Sequence, residues 1–111
     1  MSCNNNSTPL MRGTTPTITM TYKTVDVNSI AEAWLTLKQS ASGTTINKEL
    51  STATVGEKSL SWTLTQEETL QIKTNGNVQI QCRYLLQDGT AGGSAIYNVS
   101  PYAILREGEI T

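Results

Sequence analysis

The segment from Ser59 to Leu86 restricts the fold of this chain more than any other. Leu60, Trp62 and Leu64 alternate with Ser59, Ser61, Thr63 and Thr65. An apolar residue at every second position marks a half-buried strand. Thr65-Gln66-Glu67-Glu68 then has the spacing of a capping box. The Thr65 hydroxyl can accept from the amide of Glu68, and the Glu68 carboxylate can accept from the amide of Thr65. Leu70 and Ile72 follow, and Asn75-Gly76 ends the turn. Val78, Ile80, Cys82, Tyr84 and Leu86 alternate in a second strand. Strand, one capped helical turn, strand is a crossing from one sheet to another.

The rest of the chain supplies strands at matching intervals. The spacing predicts a strand over 14–22, with Ile18, Met20 and Tyr22 inward and Pro16 near its start, where a missing N–H is tolerated. A second runs over 32–39 with Ala33, Leu35 and Leu37 inward, which puts Trp34 on the opposite face. Short strands are expected over 45–50 and, at an edge, 51–55. Gln87-Asp88-Gly89-Thr90 is a hairpin signal, and Ala91-Gly92-Gly93 lengthens it into a mobile loop. The last strand spans 94–105 and is interrupted by Pro101. The expected fold is all-β: an immunoglobulin-like two-sheet sandwich of six to seven antiparallel strands with one short helical turn. Residues 1–13 are expected to form a flexible N-terminal arm, 14–105 the sandwich and 106–111 a C-terminal tail. Thirteen extended residues reach roughly 43–47 Å, against a radius of gyration near 13 Å for a domain of this size. Such an arm could cross a neighbour's surface; its alternative is a frayed terminus.

Composition narrows the function. The 111 residues carry 8 basic and 9 acidic side chains, for a net charge of −1. That balance offers no field for nucleic acid or for an anionic membrane, so neither is expected as a partner. Charged residues make up only 15% of the chain. The polar surface is instead built from Thr, Ser, Asn and Gln, which suits faces that lie against other protein without burying charge. Histidine is absent, which removes the usual general base, the Ser–His and Cys–His pairs and most zinc sites. Cys82 reads as a small buried hydrophobe on a strand; the alternative is a disulfide to Cys3 in the arm. Met1-Ser2-Cys3-Asn4-Asn5-Asn6 lacks the charged start and apolar core of a secretory signal.

Few residues invite a chemical reading. Glu67-Glu68 is an adjacent carboxylate pair, but its place at a helix start assigns it to capping. Asp88-Gly89 supplies one carboxylate, too few for a metal loop. Gly89, Gly92 and Gly93 lack the strand–loop–helix setting of a phosphate cradle. Catalytic, cofactor-binding and metal residues are therefore expected to be none, and the protein is expected not to be an enzyme. The candidate interface residues are Leu10, Met11 and Arg12 in the arm, and Trp34. An outward Trp is a frequent interface anchor, unless a bulge or the sandwich edge turns it inward.

Two segments carry a resemblance. Arg12-Gly13-Thr14-Thr15-Pro16-Thr17 leads into the first strand, and Leu64-Thr65-Gln66-Glu67-Glu68-Thr69-Leu70 precedes Val78-Gln79-Ile80-Gln81 and the Asp88-Gly89 hairpin. This layout resembles small proteins encoded by phages and prophages of Gram-positive gut bacteria, similar to the immunoglobulin-like N-terminal domain of phage baseplate upper proteins. The resemblance covers Arg12 to about Leu105; the Asn-rich arm and the Ala91-Gly92-Gly93 insertion depart from it. It implies a non-enzymatic virion component, assembled in the host bacterial cytoplasm and multimeric within the particle. Its partners would be other virion proteins, and its role a head decoration, a fibre anchor or a tail or baseplate accessory. The alternative class is a soluble phage-encoded binding protein, either a host-factor inhibitor or a carbohydrate-binding module.

Overall fold

Alternating side chains become paired strands in the computed structural model, which describes the backbone of residues 3–5 and residues 10–111 in full. The described residues form nine strands: β1 (Cys3–Asn5), β2 (Thr17–Tyr22), β3 (Ile30–Gln39), β4 (Thr44–Glu49), β5 (Thr54–Val55), β6 (Ser59–Thr63), β7 (Val78–Leu86), β8 (Ala91–Gly93) and β9 (Tyr97–Val99). One α-helical turn, α1 (Gln66–Leu70), separates β6 from β7. Two antiparallel sheets result, ordered β1-β2-β6-β5 and β4-β3-β7-β8, with β9 also paired to β7. The first is the A-B-E-D order of an immunoglobulin sandwich, and the second is C-F-G with one further strand beside C. Two of the nine strands exceed the expected number because the arm contributes β1 and Ala91–Gly93 forms β8, while the expected 94–105 strand shortens to β9. There Ser94 binds the backbone of Cys82, only Tyr97–Val99 pairs as a strand, and Pro101 is buried beyond it.

The core lies between the sheets. Ile18, Met20 and Tyr22 of β2 and Leu60 and Trp62 of β6 meet Ala33, Leu35 and Leu37 of β3 and Ile80, Cys82 and Tyr84 of β7. Each fully buried large side chain contributes about 1.5–3 kcal/mol. Tyr22 and Tyr84 meet edge to face, with ring centroids 5.8 Å apart and planes at 82°. The Tyr22 hydroxyl lies 3.0 Å from Cys82 Sγ, a polar contact joining the two sheets. Cys82 is buried in the core, and the Cys3 side chain of the disulfide alternative lies outside the described residues. Gln39 is a polar member of this interior, beside Thr69 and Ser94. Its Nε2 donates to the Lys73 carbonyl at 2.5 Å and the Gly76 carbonyl at 2.7 Å, and its Oε1 accepts from the Lys73 amide at 2.8 Å. It pins the loop before β7 to the end of β3.

Two expectations change. The sandwich does not begin after Gly13. Leu10 is 4% exposed and belongs to the core, and Cys3–Asn5 pair antiparallel with Met20–Tyr22. Residues 1–2 and 6–9 of the expected arm lie outside the described residues. The physical reason is reach: the chain returns at Leu10, whose carbonyl accepts from Tyr102 while Arg12 N–H donates to the Tyr102 carbonyl. Gly13 makes the bend into β2 at φ +68°, a conformation that favours glycine. Ala91-Gly92-Gly93, expected as a mobile loop, is instead strand β8, paired with Arg83–Leu85. Tyr84 explains the glycine: a Cβ on Gly92 would stand 2.1 Å from the Tyr84 hydroxyl.

The helical turn forms as the sequence indicates. Thr65 Oγ1 accepts from Glu68 N–H at 3.1 Å, and Glu68 Oε1 accepts from Thr65 N–H at 2.9 Å. Glu68 also pairs with Lys48 of β4, Nζ to Oε2 at 2.7 Å. Burial raises the Glu68 pKa, but the Lys48 hydrogen bond, the Thr65 amide and the Lys48 charge together outweigh it and hold the carboxyl below its ordinary value of 4.5. A lowered folded-state pKa gives stability that is full above the ordinary value and is lost as pH falls through the folded one. Asp88 and Glu107 are also lowered, by the Thr90 amide and by Arg12 respectively, but both are exposed and screened by water. Thermal melts should therefore fall steeply below about pH 4.5, and Glu68→Gln should flatten that limb. Thr65→Ala should cost about 0.5–2 kcal/mol at neutral pH. Unchanged acid sensitivity in Glu68→Gln would remove this carboxylate as its cause.

Candidate docking surface

Strand alternation leaves each sheet one outer face, and the two faces differ. On the first sheet the outward side chains are hydroxyls. Thr17 meets Thr63 and Thr19 meets Ser61, each pair at 3.0 Å. These groups satisfy one another across the strands, as Thr–Thr and Thr–Ser pairs do on an exposed pleat.

The other sheet presents an apolar and ionic patch. Ala33, Leu35 and Leu37 fill the core side of β3, so Trp34 projects outward and is 51% exposed. The pairing irregularity between Ile30 and Glu32 does not turn it inward. Cross-strand register then builds rows. Trp34 stands between Glu49 of β4 and Arg83 of β7, Thr36 between Asn47 and Gln81, and Lys38 between Thr45 and Gln79. The Arg83 guanidinium carbon lies 5.7 Å from the Trp34 ring centroid, within range of a cation–π contact worth about 0.5–1 kcal/mol at an exposed site. Beyond them Leu85, 42% exposed, pairs with Glu32 and with Ala91. Glu32 is committed to structure: its Oε1 accepts from Ala33 N–H at 2.9 Å and from Leu50 N–H at 3.1 Å.

Glu32, Trp34, Arg83, Leu85 and Ala91, over a floor completed by Ala33 and Tyr84, enclose a groove of about 220 Å³. Pockets for small organic ligands run to roughly 300–1,000 Å³ and enclose most of the ligand. This groove is smaller and open along the sheet, so it suits a partner's side chain. A second depression of about 110 Å³ lies between Thr36, Lys38, Gln79, Gln81 and Ile96, the last 52% exposed. The patch thus has an apolar end around Trp34 and a neutral polar end around Gln79.

The sequence-indicated interface residues separate. Trp34 is on the surface, as its alternation implies. Leu10 is in the core and cannot present itself to a partner. Arg12 turns inward: its Nη2 donates to the Leu70 carbonyl at 3.0 Å, its Nε to the Ile72 carbonyl, and Nη1 pairs with Glu107. A cation there closes the C-terminal end of α1, where carbonyls point outward. Met11 remains 36% exposed and bridges in parallel to Tyr102. The structure does not bring these three to Trp34. Arg83 and Leu85 complete the patch instead. Their outward facing follows from the alternation of β7, but their place beside Trp34 depends on pairing register, which no local signal carries.

Among the described residues, no three His, Cys, Asp or Glu side chains gather in a way that could hold a metal ion. No described helix is long and apolar enough to cross a membrane. The fold and the patch together define a small immunoglobulin-like sandwich with one aromatic, arginine-bearing outer face. No family model matches the chain, and no curated protein matches its sequence.

Proposed function

We propose that this protein is a non-enzymatic docking module that attaches to other proteins through the outer face of its β4-β3-β7-β8 sheet. The observation that carries this reading is Trp34, half exposed, stacked beneath Arg83 and beside a groove of side-chain size. Trp and Arg are the residue types most enriched among interface anchors. The resemblance of the 12–17, 64–70 and 78–81 segments to phage proteins supports a role in a virion, in many copies, as a head decoration, fibre anchor or tail or baseplate accessory. Repetition supports such a role energetically, because many weak contacts held on one particle add up to firm attachment. A soluble phage-encoded binding protein is the rival reading.

Quantitative mass spectrometry of purified virions tests the proposal. The protein is expected at high copy number, and Trp34→Glu should reduce its copies at least tenfold while its melting temperature stays near wild type. Absence from particles, or normal incorporation of Trp34→Glu, overturns the reading.

A further inference from the structure

We infer that the occupant of the Trp34 face is a second copy of this chain, docked face to face about a two-fold axis that runs parallel to the strands between β3 and β7. The inference rests on the docking reading above and names its partner.

The distribution of side chains fixes the axis. The apolar groups Trp34, Leu85 and Ala91 lie at one end of the face, and Lys38, Thr45, Gln79 and Asn98 lie at the other. A two-fold across the strands would set Trp34 against Lys38 and leave the apolar ends facing polar groups. A two-fold along the strands sets the Trp34 end on the Trp34 end, with Leu85 of each copy over Glu32 of the other, and so removes the most apolar surface from water. It also exchanges β3 with β7. Trp34 of each copy then faces Arg83 of the other, twice by symmetry, as an isologous interface requires. Each guanidinium is held between two indoles, a setting in which cation–π attraction strengthens on desolvation. Glu49 is the neighbour of Trp34 across β3 and β4, so the incoming Arg83 arrives about one strand spacing, roughly 4.8 Å, from a carboxylate that the structure leaves exposed. The groove of about 220 Å³ beside each Trp34 is the space into which the second copy's Trp34 and Leu85 fit.

The area is sufficient for a weak dimer. The strand residues of this face, six in β4, ten in β3, nine in β7 and three each in β8 and β9, at about 3.3 Å each and about 4.8 Å between strands, give a face near 500 Å² per copy, or about 1,000 Å² for two. Specific interfaces begin near 1,000 Å² in total. Packed sheets sit about 10 Å apart with strands within about 30° of each other.

Sedimentation of the full chain over a concentration series tests self-association. Wild type should form dimers with a dissociation constant of about 10 μM to 1 mM, as expected for an interface at the small end of the range. Trp34→Glu should remain monomeric at the highest concentration with an unchanged melting temperature. Orientation is read from cysteine cross-linking in a Cys3→Ser background with a bismaleimide of about 10 Å span, matched to the sheet spacing. A mixture of Thr45→Cys and Asn98→Cys proteins should cross-link, because the strand-parallel axis places these positions opposite each other. Either variant alone should not. A wild-type chain monomeric at about 1 mM overturns the inference, as does a dimer that Trp34→Glu leaves intact or that cross-links through Thr45→Cys alone. The virion experiment separates this failure from that of the docking reading. A monomeric chain whose incorporation still requires Trp34 keeps the face and loses only the second copy as its occupant.

Discussion

Trp62→Ala is expected to lower the stability of this protein by about 3–5 kcal/mol, the cost of removing a large aromatic from a closed core. Trp62 is 1% exposed at the centre of β6. It packs in one cluster with Ile18 and Met20 of its own sheet and with Leu35 and Leu37 of the opposite one. Its Nε1–H donates to the Glu49 carbonyl at 3.0 Å, across the sandwich at the end of β4. Truncation therefore opens a cavity and removes one of the two hydrogen bonds the Glu49 carbonyl accepts, the other coming from Thr52 Oγ1 at 2.9 Å. Trp62→Phe separates them. It keeps most of the apolar volume, so its loss should be smaller than that of alanine and should reflect the lost indole hydrogen bond to Glu49. Urea titration of the three proteins reads these differences directly. A midpoint for Trp62→Ala within error of wild type would place Trp62 outside the cooperative core.

The facing of Trp62 was legible because period-two alternation and the core both act on the same local pattern. Leu60, Trp62 and Leu64 are buried, as are Ile18, Met20 and Tyr22, and Cys82 with its neighbours on β7. The capping box was legible for the same reason: its bonds span three residues. What the sequence hid depends on distant segments. Arg83 became part of the candidate surface only through its register with Trp34. Ala91-Gly92-Gly93 carries the composition of a loop, since glycine weakens isolated strands. It pairs because the Tyr84 hydroxyl occupies the space a side chain at Gly92 would need. Gln39 ends a strand with a polar residue, and only the returning 73–76 loop supplies the carbonyls and amide that let it be buried. Interface assignment failed at Leu10 and Arg12 on the same ground. A short apolar and basic pair in an Asn-rich stretch looks unpartnered until Tyr102, Leu70, Ile72 and Glu107 come to meet it.

Those contacts reverse what the arm reading implies for truncation. If residues 1–13 were independent of the sandwich, deleting 2–11 would leave the melting temperature unchanged. With Leu10 in the core, the deletion removes a side chain that is 4% exposed, the strand paired to β2 and the bridge to Tyr102. Leu10→Ala alone should cost about 2–5 kcal/mol. At roughly 4 °C or more per kcal/mol, its melting temperature should drop by about 8–20 °C. The deletion should fall at least as far. Calorimetry on the deletion, Leu10→Ala and Met11→Ala gives the decisive order. Met11 is 36% exposed, so its replacement should be nearly neutral, within about 0.5 kcal/mol as for most surface positions. A deletion variant that melts with wild type would return the boundary of the sandwich to Gly13. It would also make 2–11 a segment free to act outside the domain. A large loss shared by the deletion and Leu10→Ala shows instead that the N-terminal segment closes the sandwich.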